Sequence, residues 1–359
     1  MSLIRLGIQH FRNIETTELE PSQGLNLITG ANAAGKTSLL EAICFLGRAR
    51  SFRTNRVDRL VQHGATGFRI LGRLSEGSGR SIPVGMERRQ GRLEIRLDGK
   101  SVQRLSELAA QIPLQLHTGD AHSLLEGGPR YRRRFLDWGL FHVEPAFYQA
   151  WSAYRKILKQ RNAALRRQTD RREIAIWDRQ FTDSAMAVNQ LRIEFLDRLR
   201  SEVLTETTEL LGTDQIELHY RSGWPSGTSL LETLMQSREQ DLNRGFSHYG
   251  PHRADLEIRI ENRSVHGVLS RGQQKLLTTA LFLGQAALLH KKTESAGMFL
   301  IDDLPSELDS THQQRMMARL AALNAQVFVS AIEKGTVPTS AWSTMKWFHV
   351  EHGNIQEML

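Results

Sequence analysis

Gly30-Ala31-Asn32-Ala33-Ala34-Gly35-Lys36-Thr37 fits G-x-x-x-x-G-K-[ST] in full, the pattern of a loop that cradles phosphates. Backbone N–H groups must turn toward phosphate oxygens, so small residues stand where the chain curls tightly. The N-terminus of the helix that follows adds partial positive charge. Lys36 is spaced to reach the β- and γ-phosphates, and the Thr37 hydroxyl to bind Mg²⁺. The nucleotide-binding set is therefore Gly30, Ala31, Asn32, Ala33, Ala34, Gly35, Lys36, Thr37 and the next residue, Ser38. No N-K-x-D stretch occurs, so guanine lacks its usual reader and ATP is the expected nucleotide.

A second group completes the chemistry. Met298-Phe299-Leu300-Ile301-Asp302-Asp303 is four apolar residues and then two acids, as in a buried parallel strand with acids at its C-terminal end. Asp302 would hold the Mg²⁺, and Asp303 would polarise the attacking water. In isolation the pair reads as surface acids ending a strand; beside a phosphate loop it reads as catalytic, with Lys36. Asp is one methylene shorter than Glu, which implies slow hydrolysis.

Leu269-Ser270-Arg271-Gly272-Gln273-Gln274-Lys275 precedes an apolar helical stretch and makes a second anion-binding helix start. One ATP needs one cradle. A head-to-tail dimer gives the second a use, with Ser270, Gly272 and Gln273 of one subunit meeting the γ-phosphate held by Lys36 of the other. An ordinary N-cap is the plain alternative. Asp309 is either a residue of the cross-dimer loop or a helix N-cap.

Strands at about 3–8 and 25–29 and a helix from about 36 to 46 must carry the loop. β-type runs follow between about 48 and 116, with Asp98-Gly99 as a tight hairpin turn. From about 130 to 212 the apolar period becomes helical. Phe147, Trp151, Tyr154, Leu158 and Leu165, then Trp177, Phe181, Val188, Leu191, Phe195 and Leu199 predict an antiparallel helical hairpin turning near 166–173. This aromatic stripe reads as core.

The chain has 359 residues and a net charge of +8. Twelve Lys/Arg against four acids fall between Arg130 and Glu173, an excess equal to the whole net charge. Such a segment can neutralise phosphates and release counterions, although a solvated helix face would look the same. The assigned DNA contacts are Arg132, Arg133, Lys156, Lys159, Arg161, Arg166 and Arg167. Cys44 is the single cysteine and reads as a packed helix residue. It excludes an internal disulfide and a multi-thiolate zinc site, so a cytoplasmic location is expected. No apolar run reaches membrane-spanning length, and no membrane partner is expected.

The order phosphate loop, L-S-x-G-Q, apolar strand with paired acids, then S-x-L-D resembles the ABC-type ATPase superfamily. Lys36 and Ser270 are 234 positions apart, too far for a transporter subunit and too near for chromosome-structure proteins with long coiled coils. Phe11-Arg12-Asn13, Leu39-Leu40-Glu41-Ala42-Ile43, the Gly128–Asp137 and Tyr154–Asn162 stretches and Gly250-Pro251-His252-Arg253-Ala254-Asp255 resemble the RecF family of bacterial recombination mediators over essentially the whole chain. The resemblance implies ATP binding, dimerisation on double-stranded and gapped DNA, and weak DNA-dependent hydrolysis that releases it. It also implies work with RecO and RecR to load RecA at gaps, with support of replication forks and the SOS response. The family usually has glycine where Ala33 stands, and the wider superfamily usually has Glu where Asp303 stands. Gln111 or Gln115 would be the metal-side glutamine, and Ser330 would replace a switch histidine. Arg12 would approach the nucleotide.

The expected fold is α/β: an ABC-type P-loop ATPase head with an antiparallel β portion, from 1–128 and 245–359, and an inserted basic helical lobe at 129–244. Rival readings are a nucleotide-gated scaffold for proteins and an ATPase subunit of a membrane transporter. His248 and His252 admit a metal pair, but Gly250-Pro251 breaks the helix that would align them, which favours a structural role.

Overall fold

The computed structural model describes residues 1–76 and 79–358. The chain divides into two compact units, one of residues 1–121 with 275–359, the other of residues 122–274.

The first unit is built on two six-stranded sheets. In the parallel one, Leu25–Thr29 lies between Gln326–Ala331 and Met345–Glu351, with Met298–Ile301 and then Leu114–His117 beyond. Every residue of Leu25–Thr29, Met298–Ile301 and Gln326–Ala331 is buried, as expected of central parallel strands covered on both faces. Asn354–Met358 closes one edge as an antiparallel hairpin strand.

The other sheet is antiparallel, in the order Ile14–Leu19, Ser2–Phe11, Gly67–Ser75, Ser81–Arg89, Arg92–Leu97, Lys100–Ser101. Its inward residues alternate with exposed ones. Leu6, Ile8, Phe68, Ile70, Val84 and Met86 pack on the helix Lys36–Arg48 through Leu39, Leu40, Ile43 and Leu46 in one apolar core. Phe68 meets Phe11 and Phe45 edge-to-face there, with centroids 5.3 and 5.5 Å apart. Asp98 and Gly99 both have positive φ, the signature of the expected hairpin turn. Cys44 is buried in this core and free, the packed role its sequence suggested.

The second unit contains the expected helical hairpin, Pro145–Arg167 against Arg171–Leu211. Asp170 caps the second helix by accepting from Arg172 N at 2.9 Å. Phe147, Tyr154, Leu165, Phe181, Val188, Phe195 and Leu199 are all at most 2% exposed, so the stripe is core. The unit extends past 244, the end expected of the inserted lobe. Asp255–Ile260 pairs with Ile216–Arg221 and with Arg263–Ser264, which ties the chain to this unit through residue 274.

Of the assigned DNA contacts, Arg161 is contradicted by its burial, and Arg132 and Arg133 are half-buried with partners inside the unit. Arg161 is fully buried: its Nε donates to Asp178 at 2.9 Å and its Nη1 to Asp241 and Ser247 at 2.7 and 2.6 Å. Arg132 is bidentate on Asp255 at 2.8 and 3.0 Å, and Arg133 donates to the Ala254 carbonyl at 2.6 Å. Arg161, desolvated among acids, belongs to the scaffold. Removing Arg161 leaves buried Asp178 with Arg238 alone and buried Asp241 with His248 alone, at 2.7 Å each, so Arg161→Ala is expected to destabilise the protein by about 3 kcal/mol, the low end for a broken buried pair. The check is its urea midpoint.

His248 Nδ1 lies 2.7 Å from Asp241, and His252 Nδ1 lies 2.6 Å from the Tyr154 hydroxyl. Burial lowers the His252 pKa to about 4, which keeps the ring neutral. Both histidines brace the unit. Among the described residues no group of three or more His, Cys, Asp or Glu could hold a metal ion.

Candidate nucleotide site and basic face

The loop between Leu25–Thr29 and Lys36–Arg48 curls at Gly30 (φ 149°), Ala33 (φ 63°) and Gly35 (φ 125°). A Cβ at Gly30 would lie 2.2 Å from the Val350 carbonyl oxygen, so only glycine fits. Ala33 adopts the left-handed conformation in spite of its methyl. Arg12 (φ 57°) and Asp303 (φ 56°) share that conformation and line the same cleft. Strain of this kind persists where surrounding structure over-determines it, commonly at working sites.

Lys36 is 8% exposed. Its Nζ donates to the carbonyls of Gly30 and Ala31 at 2.7 and 2.9 Å, which folds the side chain back across the loop. Burial lowers its pKa, while Asp303 and Asp302 act to raise it. Thr37 Oγ1 donates toward Asp302 Oδ1 and Oδ2 at 3.2 and 3.1 Å. The parallel strands bring the pair together, because Thr29 and Ile301 end at the same edge of one sheet. The cleft has a volume of about 630 Å³, and Asn32, Ala33, Gly35, Lys36, Thr37, Ser38, Asp302 and Asp303 all line it. A hydroxyl and a carboxylate are hard oxygen donors, and Mg²⁺ takes one or two carboxylates together with substrate phosphates, so Thr37 and Asp302 fit it.

Sequence reasoning left six participants unplaced or weakly placed. Ser330, raised as a switch candidate, donates to Asp302 Oδ1 at 2.7 Å and accepts from the Asp303 N–H at 2.8 Å. One hydroxyl thus fixes both acids. Glu41 is fully buried and receives Arg12 bidentately at 2.8 Å on each oxygen. Ser51 also donates to Glu41, and Arg53 stands 3.7 Å from it. Arg12, Arg53 and Arg59 all line the cleft together with the two aspartates. Gln115 is buried on Leu114–His117, and Gln111 ends a short helix; neither lines the cleft.

The second unit, considered alone, places Ser270, Gly272 and Gln273 at an exposed helix start. Ser270 Oγ accepts from Gln273 N at 3.3 Å while Gln273 Oε1 accepts from Ser270 N at 2.9 Å, a reciprocal capping box. In the first unit Asp309 caps Ser310–Ala322, accepting from Thr311 N and His312 N at 3.0 and 3.1 Å, which is the plainer of its two roles. On Pro145–Arg167, Arg155, Lys156, Lys159, Arg166 and Arg167 are exposed. They fall on one face of the helix, opposite Tyr154, Arg161 and Leu165.

A strand–loop–helix phosphate cradle, a parallel sheet bearing paired acids and a flanking antiparallel sheet define an ATPase head of the ABC type. The family model described as "RecF/RecN/SMC N terminal domain" matches residues 2–356. This chain belongs to the RecF family within that superfamily. Proteins named "DNA replication and repair protein RecF" from Shewanella denitrificans and Shewanella piezotolerans are 43% and 41% identical to it over 357 residues, covering 99% of each chain. A solved structure of the recombination mediator protein RecF-ATP in the RecFOR pathway aligns with TM-score 0.87 and 23% identity, covering 100% of this chain and 98% of that one. An Smc head bound to the C-winged helix domain of ScpA aligns with TM-score 0.61 and 13% identity, over 100% and 97% of the two chains. Among the described residues no helix is long and apolar enough to cross a membrane.

Proposed function

We propose that this protein is an ATP-dependent DNA clamp of recombinational repair. Two heads bind ATP, close head-to-tail on duplex or gapped DNA, and part after slow, DNA-stimulated hydrolysis. The observation that carries the reading is the joint placement of Lys36, Thr37, Asp302, Asp303 and Ser330 around one cleft. The relatives' names add DNA replication and repair.

The chemistry follows from these groups. Lys36 neutralises charge on the β- and γ-phosphates. Bound Mg²⁺ would supply Lewis-acid stabilisation of the phosphoryl oxygens, with Thr37 and Asp302 as its holders. Asp303 orients the attacking water, and its backbone is held for this by Ser330. The capping box at Ser270 occupies the Ser270 and Gln273 N–H groups and does not use those of Arg271 and Gly272, at a helix N-terminus where anions bind. In the dimer Ser270, Gly272 and Gln273 meet the partner's γ-phosphate, so ATP favours the closed pair through its tighter binding there. Hydrolysis removes that bridge. By analogy with the family, the clamp acts with RecO and RecR in loading RecA at single-strand gaps and supports stalled forks and the SOS response.

The exposed cations of Pro145–Arg167 carry the DNA contact. Replacing both Lys156 and Lys159 with Gln is expected to weaken duplex binding irrespective of sequence. It should also flatten the dependence of log K on log salt by about 1.8, near 0.9 for each phosphate no longer neutralised. Affinity measured between low and physiological salt checks this. Unchanged affinity and slope would remove DNA from this face and favour the protein-scaffold reading.

A further inference from the structure

The outer face of the antiparallel sheet carries a groove of about 400 Å³ that the nucleotide chemistry does not use. One cross-strand row runs through it in register: Glu18, Gly7, Leu71, Gly85, Arg96. Leu71, at its centre, is 51% exposed.

The glycines of this sheet are of two kinds. A Cβ at Gly72 would lie 2.5 Å from Leu46 Cδ2, and one at Gly67 would lie 1.9 Å from the Arg88 carbonyl oxygen. Close packing demands glycine at both. Gly7 and Gly85 have no such demand on them. Neither has positive φ, and a Cβ there would meet only the Leu71 side chain, at 3.9 and 3.2 Å respectively. Glycine inside a strand weakens it and often marks a place where a ligand or another backbone comes close. Here the two flank the exposed leucine and leave bare backbone on either side of it. The rim is cationic. Arg5 is paired with Glu18 at 2.8 Å, whereas Arg73 and Arg96 are exposed and no acid partner for either occurs among the described residues.

We propose that this groove docks a segment of a partner protein that carries an apolar side chain flanked by carboxylates. The apolar group lies over Leu71 and the bare backbone of Gly7 and Gly85, and the carboxylates pair with Arg73 and Arg96. A nucleic acid would satisfy the arginines and leave the apolar floor unused. A second copy packed isologously would bring the same cations together. The buried face of this sheet packs on the helix that follows the phosphate loop, so the docked segment sits one sheet away from that helix.

The test uses the full-length protein with ¹³C-methyl-labelled leucine. The probe is a short synthetic peptide with a Leu-Phe centre between pairs of carboxylate residues. A lysine-for-acid version of it and a single-stranded oligonucleotide serve as controls. The acidic peptide should shift the Leu71 methyl signals, and the two controls should not. Gly7→Thr fills the groove with a good strand former. It is expected to keep or raise the melting temperature, leave ATP turnover unchanged and weaken the peptide at least about ten-fold. Should Gly7→Thr fold poorly, the double variant Arg73→Glu, Arg96→Glu decides, with the same loss of peptide binding expected. The proposal is overturned if both peptides bind alike or the oligonucleotide moves Leu71. It is also overturned if protein concentration alone moves Leu71, or if the variants bind the acidic peptide as the parent does.

Discussion

Lys36→Met is expected to lower ATP turnover by at least about 10²–10³-fold, the loss that follows removal of one preorganised charge from a transition state. Lys36 spans the loop it belongs to, with Nζ held by the Gly30 and Ala31 carbonyls at 2.7 and 2.9 Å. Methionine keeps the length of the apolar stem and removes the charge. The two carbonyls lose one shared donor, a local cost of about 1–3 kcal/mol, so the fold is expected to survive. Steady-state phosphate release together with a thermal melt checks this. Turnover within about three-fold of the parent, well under the ten-fold that corresponds to about 1.4 kcal/mol, would mean that the cradle binds something other than the reacting triphosphate.

Ser270→Arg is expected to abolish ATP-driven dimerisation while leaving ATP binding by the single head intact. The hydroxyl now closes a capping box with Gln273, and losing that cap costs only about 1 kcal/mol locally. The larger effect is steric, since a long side chain fills the space in which the partner's γ-phosphate would sit. Equilibrium sedimentation with ATP should therefore give a monomer, and hydrolysis should fall in parallel. Ser270→Thr keeps the cap and the hydroxyl and is expected to dimerise. If the arginine variant dimerised normally, the helix start would be only an N-cap.

Much of this site was legible in the residues, because its chemistry is local. The phosphate loop needs small residues at fixed spacing, and the acidic pair needs an apolar strand immediately before it; both patterns lie within eight residues. The helical hairpin was legible for the same reason, its period running unbroken on either side of Gln168-Thr169-Asp170. What sequence alone concealed depends on long-range register. Ser330 reaches Asp302 because Gln326–Ala331 pairs in parallel with Met298–Ile301, with Val329 opposite Ile301. Arg53 and Arg59 reach the cleft only once the chain beyond the first helix has folded back, with Arg12 bridging Glu41 and the Arg59 carbonyl. The inserted lobe ran further than its helices because strand pairing, which leaves no helical period, holds residues 255–264 to it. Arg161 carried a usable signal that composition overrode. It lies seven residues after Tyr154 and four before Leu165, on the buried face, while Lys156 and Lys159 occupy the opposite one. Counting charge without phase assigned all three to DNA.

The central claim is that two copies of this chain share bound triphosphates, each lending the other the Ser270 helix start. The most direct measurement is the mass in solution of the full-length protein by light scattering, alone, with ATP and Mg²⁺, and with both plus a short duplex. A value near 40.8 kDa without nucleotide that doubles with ATP, in the parent and not in Ser270→Arg, is the expected result. A mass indifferent to ATP in the presence of duplex would contradict the account.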